Sequence, residues 1–154
     1  MLGRRMLSVG GVAEQGIDDP TDPQIVGSVS SASDLDGAYG VHVVDGYAYV
    51  AATWSGALTV VDVSDPTDPS IVGTVSSTSD LGDAGDVHVV DGYAYVAASF
   101  SDALTVVDVF DPTSPQIVGT VSSASDLGGP RGVHVVDGYA YVAAFDSDAF
   151  TVIG

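Results

Sequence analysis

The sequence predicts an all-β chain built from three copies of one four-strand unit, and three observations carry that prediction. The string VHVVDGYAYVAA begins at Val41, Val87 and Val133, which fixes a repeat of 46 residues. Each repeat holds four short runs rich in β-branched and aromatic residues, divided by Asp-Gly or proline-bearing turns. No stretch shows the 3.6-residue apolar period of an amphipathic helix. Four strands in about 45 residues is the spacing of a β-propeller blade, so the predicted architecture is three four-stranded blades per chain.

The repeats run without gaps over residues 17–62, 63–108 and 109–154, after a leader at 1–16. Strand a, residues 41–44 (VHVV), and strand b, residues 47–52 (YAYVAA), flank Asp45-Gly46, the dipeptide preferred in a two-residue type I′ hairpin. The same turn recurs at Asp91-Gly92 and Asp137-Gly138. Strand c is residues 58–63 (LTVVDV). DPTDP at 65–69 ends it, because proline fixes φ and offers no ladder donor. Strand d is residues 71–76 (IVGTVS). Both faces of these strands are largely apolar, as blades packed between two others require.

The order of strands gives an expectation about assembly. Ile25 to Ser30 reads as a d strand with no a, b or c before it, while the last blade, from Arg131, has a, b and c but no d. Each end lacks what the other supplies. Three blades are too few to close around an axis, so the predicted arrangement is a homodimer. In it two chains lie head to tail, exchange d strands and form a six-bladed ring that leaves no open edge. A piece of a longer repeat array is the other arrangement compatible with these residues.

Composition excludes several partners. Twenty-one acidic residues, all Asp except Glu14, face only Arg4, Arg5 and Arg131, for a net charge of −18. Such a surface repels phosphates, so nucleic acid is not a predicted partner. A Lys-free, Asp-rich surface also suits a saline, halophilic setting. The longest apolar runs, about six residues, fall far short of the roughly 20 of a membrane-spanning helix. There is no cysteine for a disulfide or a thiolate site and no asparagine for N-glycosylation. The leader lacks the continuous apolar region of a secretory signal.

The candidate binding residues lie where the repeats differ most. The d–a loops read DGAYG (36–40), GDAGD (82–86) and GGPRG (128–132), and the b–c loops read TWSG (53–56), SFSD (99–102) and FDSD (145–148). In propeller topology both loops open on one face, where recognition usually resides. Tyr39, Trp54, Phe100, Arg131 and Phe145 are the predicted contacts, because exposed aromatics and arginine supply most interface energy. Asp102 and Asp146 are polar candidates beside them. His42, His88 and His134 share one position on strand a, nearest the axis. Neighbouring inner strands are too far apart for these imidazoles to converge on one zinc, so a hydrogen-bonded structural role is predicted. Asp62 and Asp108 are read as turn-capping carboxylates. The loop aspartates Asp34, Asp36, Asp80, Asp83, Asp86 and Asp126 do not match the spacing of an EF-hand loop, which leaves Ca²⁺ a weak cofactor candidate and no other cofactor in view. No nucleophile elbow, phosphate loop or zincin motif occurs.

TVVDVSDPTDPSIVG (59–73), followed by an AYVA strand, closely resembles the LVIVD repeat. The resemblance covers nearly all of residues 17–154. It implies a β-propeller and an extracellular or cell-surface setting, and it implies little about activity. This chain departs from such propellers in carrying only three copies. The resulting prediction is a non-catalytic scaffold that binds a protein or glycan through its variable loop face. Two other readings stay open: a structural unit of a surface fibre or longer array, and a metal-dependent enzyme using the axial histidines or loop aspartates.

Overall fold

The computed structural model describes residues 16, 17 and 19–154. Most of the leader, and Asp18, lie outside the described residues. Eleven strands follow one another: β1 (Ala38–Val44), β2 (Tyr47–Ala52), β3 (Ala57–Asp62), β4 (Ser70–Ser76), β5 (Ala84–Val90), β6 (Tyr93–Ala98), β7 (Ala103–Asp108), β8 (Gln116–Ser122), β9 (Pro130–Val136), β10 (Tyr139–Ala144) and β11 (Ala149–Ile153). They form three antiparallel sheets, β1-β2-β3-β4, β5-β6-β7-β8 and β9-β10-β11. The all-β blade architecture is thus observed, as two four-stranded blades and one of three strands.

Local chemistry sets the turns. Asp45 and Gly46, Asp91 and Gly92, and Asp137 and Gly138 all have φ between 52° and 82°. Positive φ at both central residues defines the type I′ turn, and its twist matches that of the flanking strands. The c–d turn is closed by short carboxylate bonds: Asp65 Oδ1 accepts from the Thr67 amide and hydroxyl, and Asp62 Oδ1 does the same for Ser64. Those donors favour the ionised carboxylate and hold both groups below the usual aspartate range. Asp108 bonds the Phe110 amide in the same way.

Strand a is longer than the sequence indicates. It begins at Ala38, whose partner is Ala52, and a bulge lies between Ala38 and Gly40. Ala38 and Gly40, small residues with little β propensity, are therefore carried into the ladder by their neighbour, strand b.

The core lies between blades. Tyr49, Ala51, Leu58 and Val60 of the first blade meet Leu81, Ala84, Val87 and Val89 of the second. Ala97 and Leu104 of the second meet Leu127, Val133, Ala140 and Val142 of the third. The a strands β1, β5 and β9 run side by side, which makes them the inner strands. The buried Thr59 hydroxyl donates to the Asp34 carbonyl at 2.6 Å, and Thr105 and Thr151 do the same for Asp80 and Asp126. Strand c of each blade thereby anchors the d–a loop leading into it.

The segment 25–30, with the sequence of strand d, forms no ladder in this chain. It is nonetheless seated. A Cβ on Gly27 would lie 2.2 Å from the Pro66 carbonyl oxygen, and one on Gly73 would lie 2.3 Å from that of Pro112. Residues 25–30 therefore press on the c–d turn of the first blade as β4 presses on that of the second. Only glycine permits this approach.

Candidate functional site: the loop face

The d–a and b–c loops are bonded into one surface. The Thr53 amide donates to the Gly37 carbonyl at 2.9 Å and that of Trp54 to Asp36 at 3.1 Å, with the equivalent bonds in both other blades. Serines lock the same junction: Ser101 Oγ accepts from the Gly82 amide and Ser147 Oγ from that of Gly128. Loop positions on this face are consequently held by backbone geometry.

Tyr39, Thr53, Asp83, Gly85, Ser99, Pro130 and Arg131 enclose a cleft of about 220 Å³ that draws on all three blades. Two of the predicted contacts, Tyr39 and Arg131, thus line one cleft. Arg131 lies over the Phe145 ring, 4.1 Å from its centroid. Such a cation–π contact holds the guanidinium in place without neutralising it. Arg131 forms no ion pair among the described residues, and Asp83 lines the same cleft.

The aromatic side chains do not form one patch. The Trp54 ring lies close to Gly37, and the Phe100 ring close to Gly82, each on the d–a loop of its own blade. Both remain largely exposed. Phe145 stands one position earlier in its loop, in the column of Thr53 and Ser99, while Asp146 occupies the Trp54 column and sits over Gly129. Phe145 and Arg131 line a second, shallower depression with Asp148 and Phe150.

Asp102 is half-buried and bonded across a blade boundary. Its Oδ1 accepts from the Gly129 amide at 2.9 Å, and its backbone takes φ of 49°, where the first blade has Gly56. The Asp86 carboxylate similarly receives the Val133 amide at 2.9 Å. These two carboxylates join blades through one oxygen each.

The three imidazoles form a row along the inner strands, with ring centroids 4.9 and 4.6 Å apart. His42 Nδ1 accepts from the Val89 amide at 3.0 Å and His88 Nδ1 from Val135 at 2.9 Å. An accepting Nδ1 requires the neutral ring protonated on Nε2. For His88, partial burial first, then the neighbouring His42 and His134, push the pKa down, and Asp86 opposes them. In the loops, Asp34, Asp80 and Asp126 each accept from the serine three residues earlier. Among the described residues no three carboxylate or imidazole groups cluster as metal ligands do.

The LVIVD-repeat family model matches residues 37–77, 81–123 and 128–153, most of the chain and one match per blade. The chain belongs to the LVIVD-repeat family. Each LVIVD match starts in a d–a loop and spans strands a, b and c, so the family pattern coincides with the blade. Comparison with curated proteins gave no match.

Sequence reasoning identified Tyr39 and Arg131 but not the cleft's other walls. Thr53, Asp83 and Ser99 stand in the same variable loop columns. Thr53 and Ser99 gave no signal apart from that position, and Asp83 was read only as one of the loop aspartates weighed for Ca²⁺.

Proposed function

We propose that this LVIVD-repeat protein is a non-catalytic propeller scaffold that recognises a protein or glycan through its loop face. The observation that carries the reading is the cleft shared by three blades, lined by Arg131, which has no ion pair among the described residues, by an exposed Tyr39, and by Asp83 and Ser99. A concave site with a few convergent polar groups and aromatic walls is the usual form of a ligand site. Trp54 and Phe100 extend that surface outward, each lying on a glycine that leaves its ring exposed.

The histidines support the non-catalytic part of the proposal. Two of the three use Nδ1 to receive a backbone amide, which removes the lone pair a general base needs. Asp62, Asp65, Asp108 and Asp111 are likewise engaged as turn caps.

The test is a glycan array and a cell-surface protein screen run with the intact chain. Tyr39→Ala and Arg131→Ala should abolish the signal, Trp54→Ala and Phe100→Ala should weaken it, and Asp111→Ala on the opposite face should leave it unchanged. Binding that survives all four loop-face substitutions rules the reading out.

A further inference from the structure

We propose that the third blade of one chain packs against the first blade of a second copy, and reciprocally, to give a six-bladed ring. In that ring residues 25–30 of each copy form the outermost strand on the other's β11. Three independent features of the structure point to it, and none depends on the loop-face reading.

The first is a pair of open faces that match the interfaces already present. Leu58 and Leu104, at 0% and 1% exposure, fill the two interfaces within the chain, whereas Phe150 in the same column of the third blade is 70% exposed. Ala51 and Ala97 are buried where Ala143 is not. The other side of the interface repeats the pattern: Val87 and Val133 are 4% and 9% exposed, and Val41 in the first blade is 59% exposed. Among the described residues Tyr141, Ala143, Phe150 and Val152 thus form a trailing face with no partner, and Leu35, Val41 and Val43 a leading face with no partner. Each is of the kind that receives the other twice within the chain. An uncovered apolar face of this sort marks an interaction surface.

The second feature is a hydrogen bond missing at both ends of the row. His42 accepts from the amide 47 residues ahead of it, and so does His88. His134 Nδ1 has no such donor among the described residues, and Val43, the counterpart of Val89 and Val135, has no imidazole before it. A blade 3 to blade 1 contact joins His134 Nδ1 of one copy to the Val43 amide of the other.

The third is the position of residues 25–30. Gly27 is pressed on the Pro66 turn as Gly73 is on Pro112, so the segment already occupies the d position beside its own first blade. Among the described residues its remaining edge has no strand, and neither has the outer edge of β11. Pairing the two copies in the register of β3 with β4 sets Phe150 opposite Val29, Thr151 opposite Ser28 and Val152 opposite Gly27. Exposed edges of this kind are normally paired or protected.

Opposite faces meeting head to tail generate a ring when the rotation closes. Two copies give six blades, inside the typical range of about four to eight, and three copies give nine.

Cross-linking reads the register directly. Thr59 and Thr74 hydroxyls are 2.6 Å apart, and those of Thr105 and Thr120 are 3.3 Å apart, so side chains at this column lie within disulfide reach. The chain has no cysteine of its own. Ser28→Cys with Thr151→Cys should oxidise to a covalent species of twice the 15.5 kDa chain mass, and Ser30→Cys with Thr151→Cys, two residues out of register, should not. Thr59→Cys with Thr74→Cys, joined within one chain, serves as the control for folding. A disulfide closed within a single chain, or a species of three chains, overturns the proposal. Hydrogen exchange on the unsubstituted protein gives a second reading. Protection of amides in both 25–30 and the outer edge of β11 is expected, and free exchange of both refutes the pairing.

Discussion

Leu58, Leu104 and Phe150 occupy one column of the repeat, and replacing each by alanine measures what the blade interfaces contribute. Leu58→Ala removes three carbons from a site with no accessible surface. At about 0.8 kcal/mol per buried carbon the transfer loss is roughly 2.4 kcal/mol. A cavity that fails to collapse raises the total to as much as about 5 kcal/mol. The surrounding Tyr49, Val60, Leu81 and Val87 belong to rigid ladders, so collapse is restricted and a loss of about 3–4 kcal/mol is expected. Leu104 borders an existing cleft with Val121 and Val135, and its replacement should cost less, about 2–3 kcal/mol. Phe150→Ala is the informative member. In a lone chain its 70% exposure limits the loss to under about 1 kcal/mol, whereas in the paired ring it should approach the Leu58 value. Urea midpoints at fixed protein concentration, with unchanged slope, give these values. A loss under 1 kcal/mol for Leu58→Ala refutes the assignment of the core to the blade interfaces.

The neutral His88 predicts a pH dependence of known sign. Its folded pKa lies below the unfolded value of about 6.5, so the unfolded chain binds more protons just below neutrality. The contribution of His88 is complete above about pH 6.5 and is lost as pH falls through the folded value. Melting temperatures at pH 7.5 and 5.5 should differ in that direction, and less so in His88→Phe; a higher melting temperature at pH 5.5 contradicts it. Asp102→Ala removes the acceptor of the Gly129 amide and places alanine at positive φ, for a loss of roughly 2 kcal/mol, while Asp102→Asn should retain about half of that, by urea denaturation. With a net charge of −18, molar NaCl should raise the melting temperature by screening self-repulsion, and a fall on adding salt refutes that account.

Much of this fold is legible in the residues. Asp45-Gly46 and its two copies name their own turn, because only a type I′ hairpin accepts that dipeptide so readily, and the structure has the required φ values. Strand b matches the sequence reading residue for residue. Strand a does not: Ala38 and Gly40 have no β signal of their own and enter the ladder through pairing with Ala52 and Ala51, with Tyr39 at the bulge between them. Gly27 and Gly73 meet proline carbonyls that the sequence reading did not place beside them. Ile25 to Ser30 carries strand chemistry without a strand, because a ladder requires a neighbour that sequence alone does not place.

The candidate site was legible in part. Tyr39 and Arg131 stood out as the aromatic and the cation in otherwise small or acidic loop columns. Asp102 looked like a surface carboxylate, and its bond to Gly129 depends on how the second and third blades meet. Likewise the cation–π contact of Arg131 needs Phe145 shifted by one column, a displacement whose effect appears only when both loops are folded together.

The mass of the unsubstituted 154-residue chain in solution, followed by sedimentation over a hundredfold dilution, tests the central claim most directly. Two open blade faces, an unanswered His134 and an unpaired 25–30 segment predict twice the chain mass of 15.5 kDa at the concentrated end, shifting cooperatively to the single-chain value when Val43→Asp places a charge in the shared face. A single-chain mass for the unsubstituted protein at every concentration contradicts it.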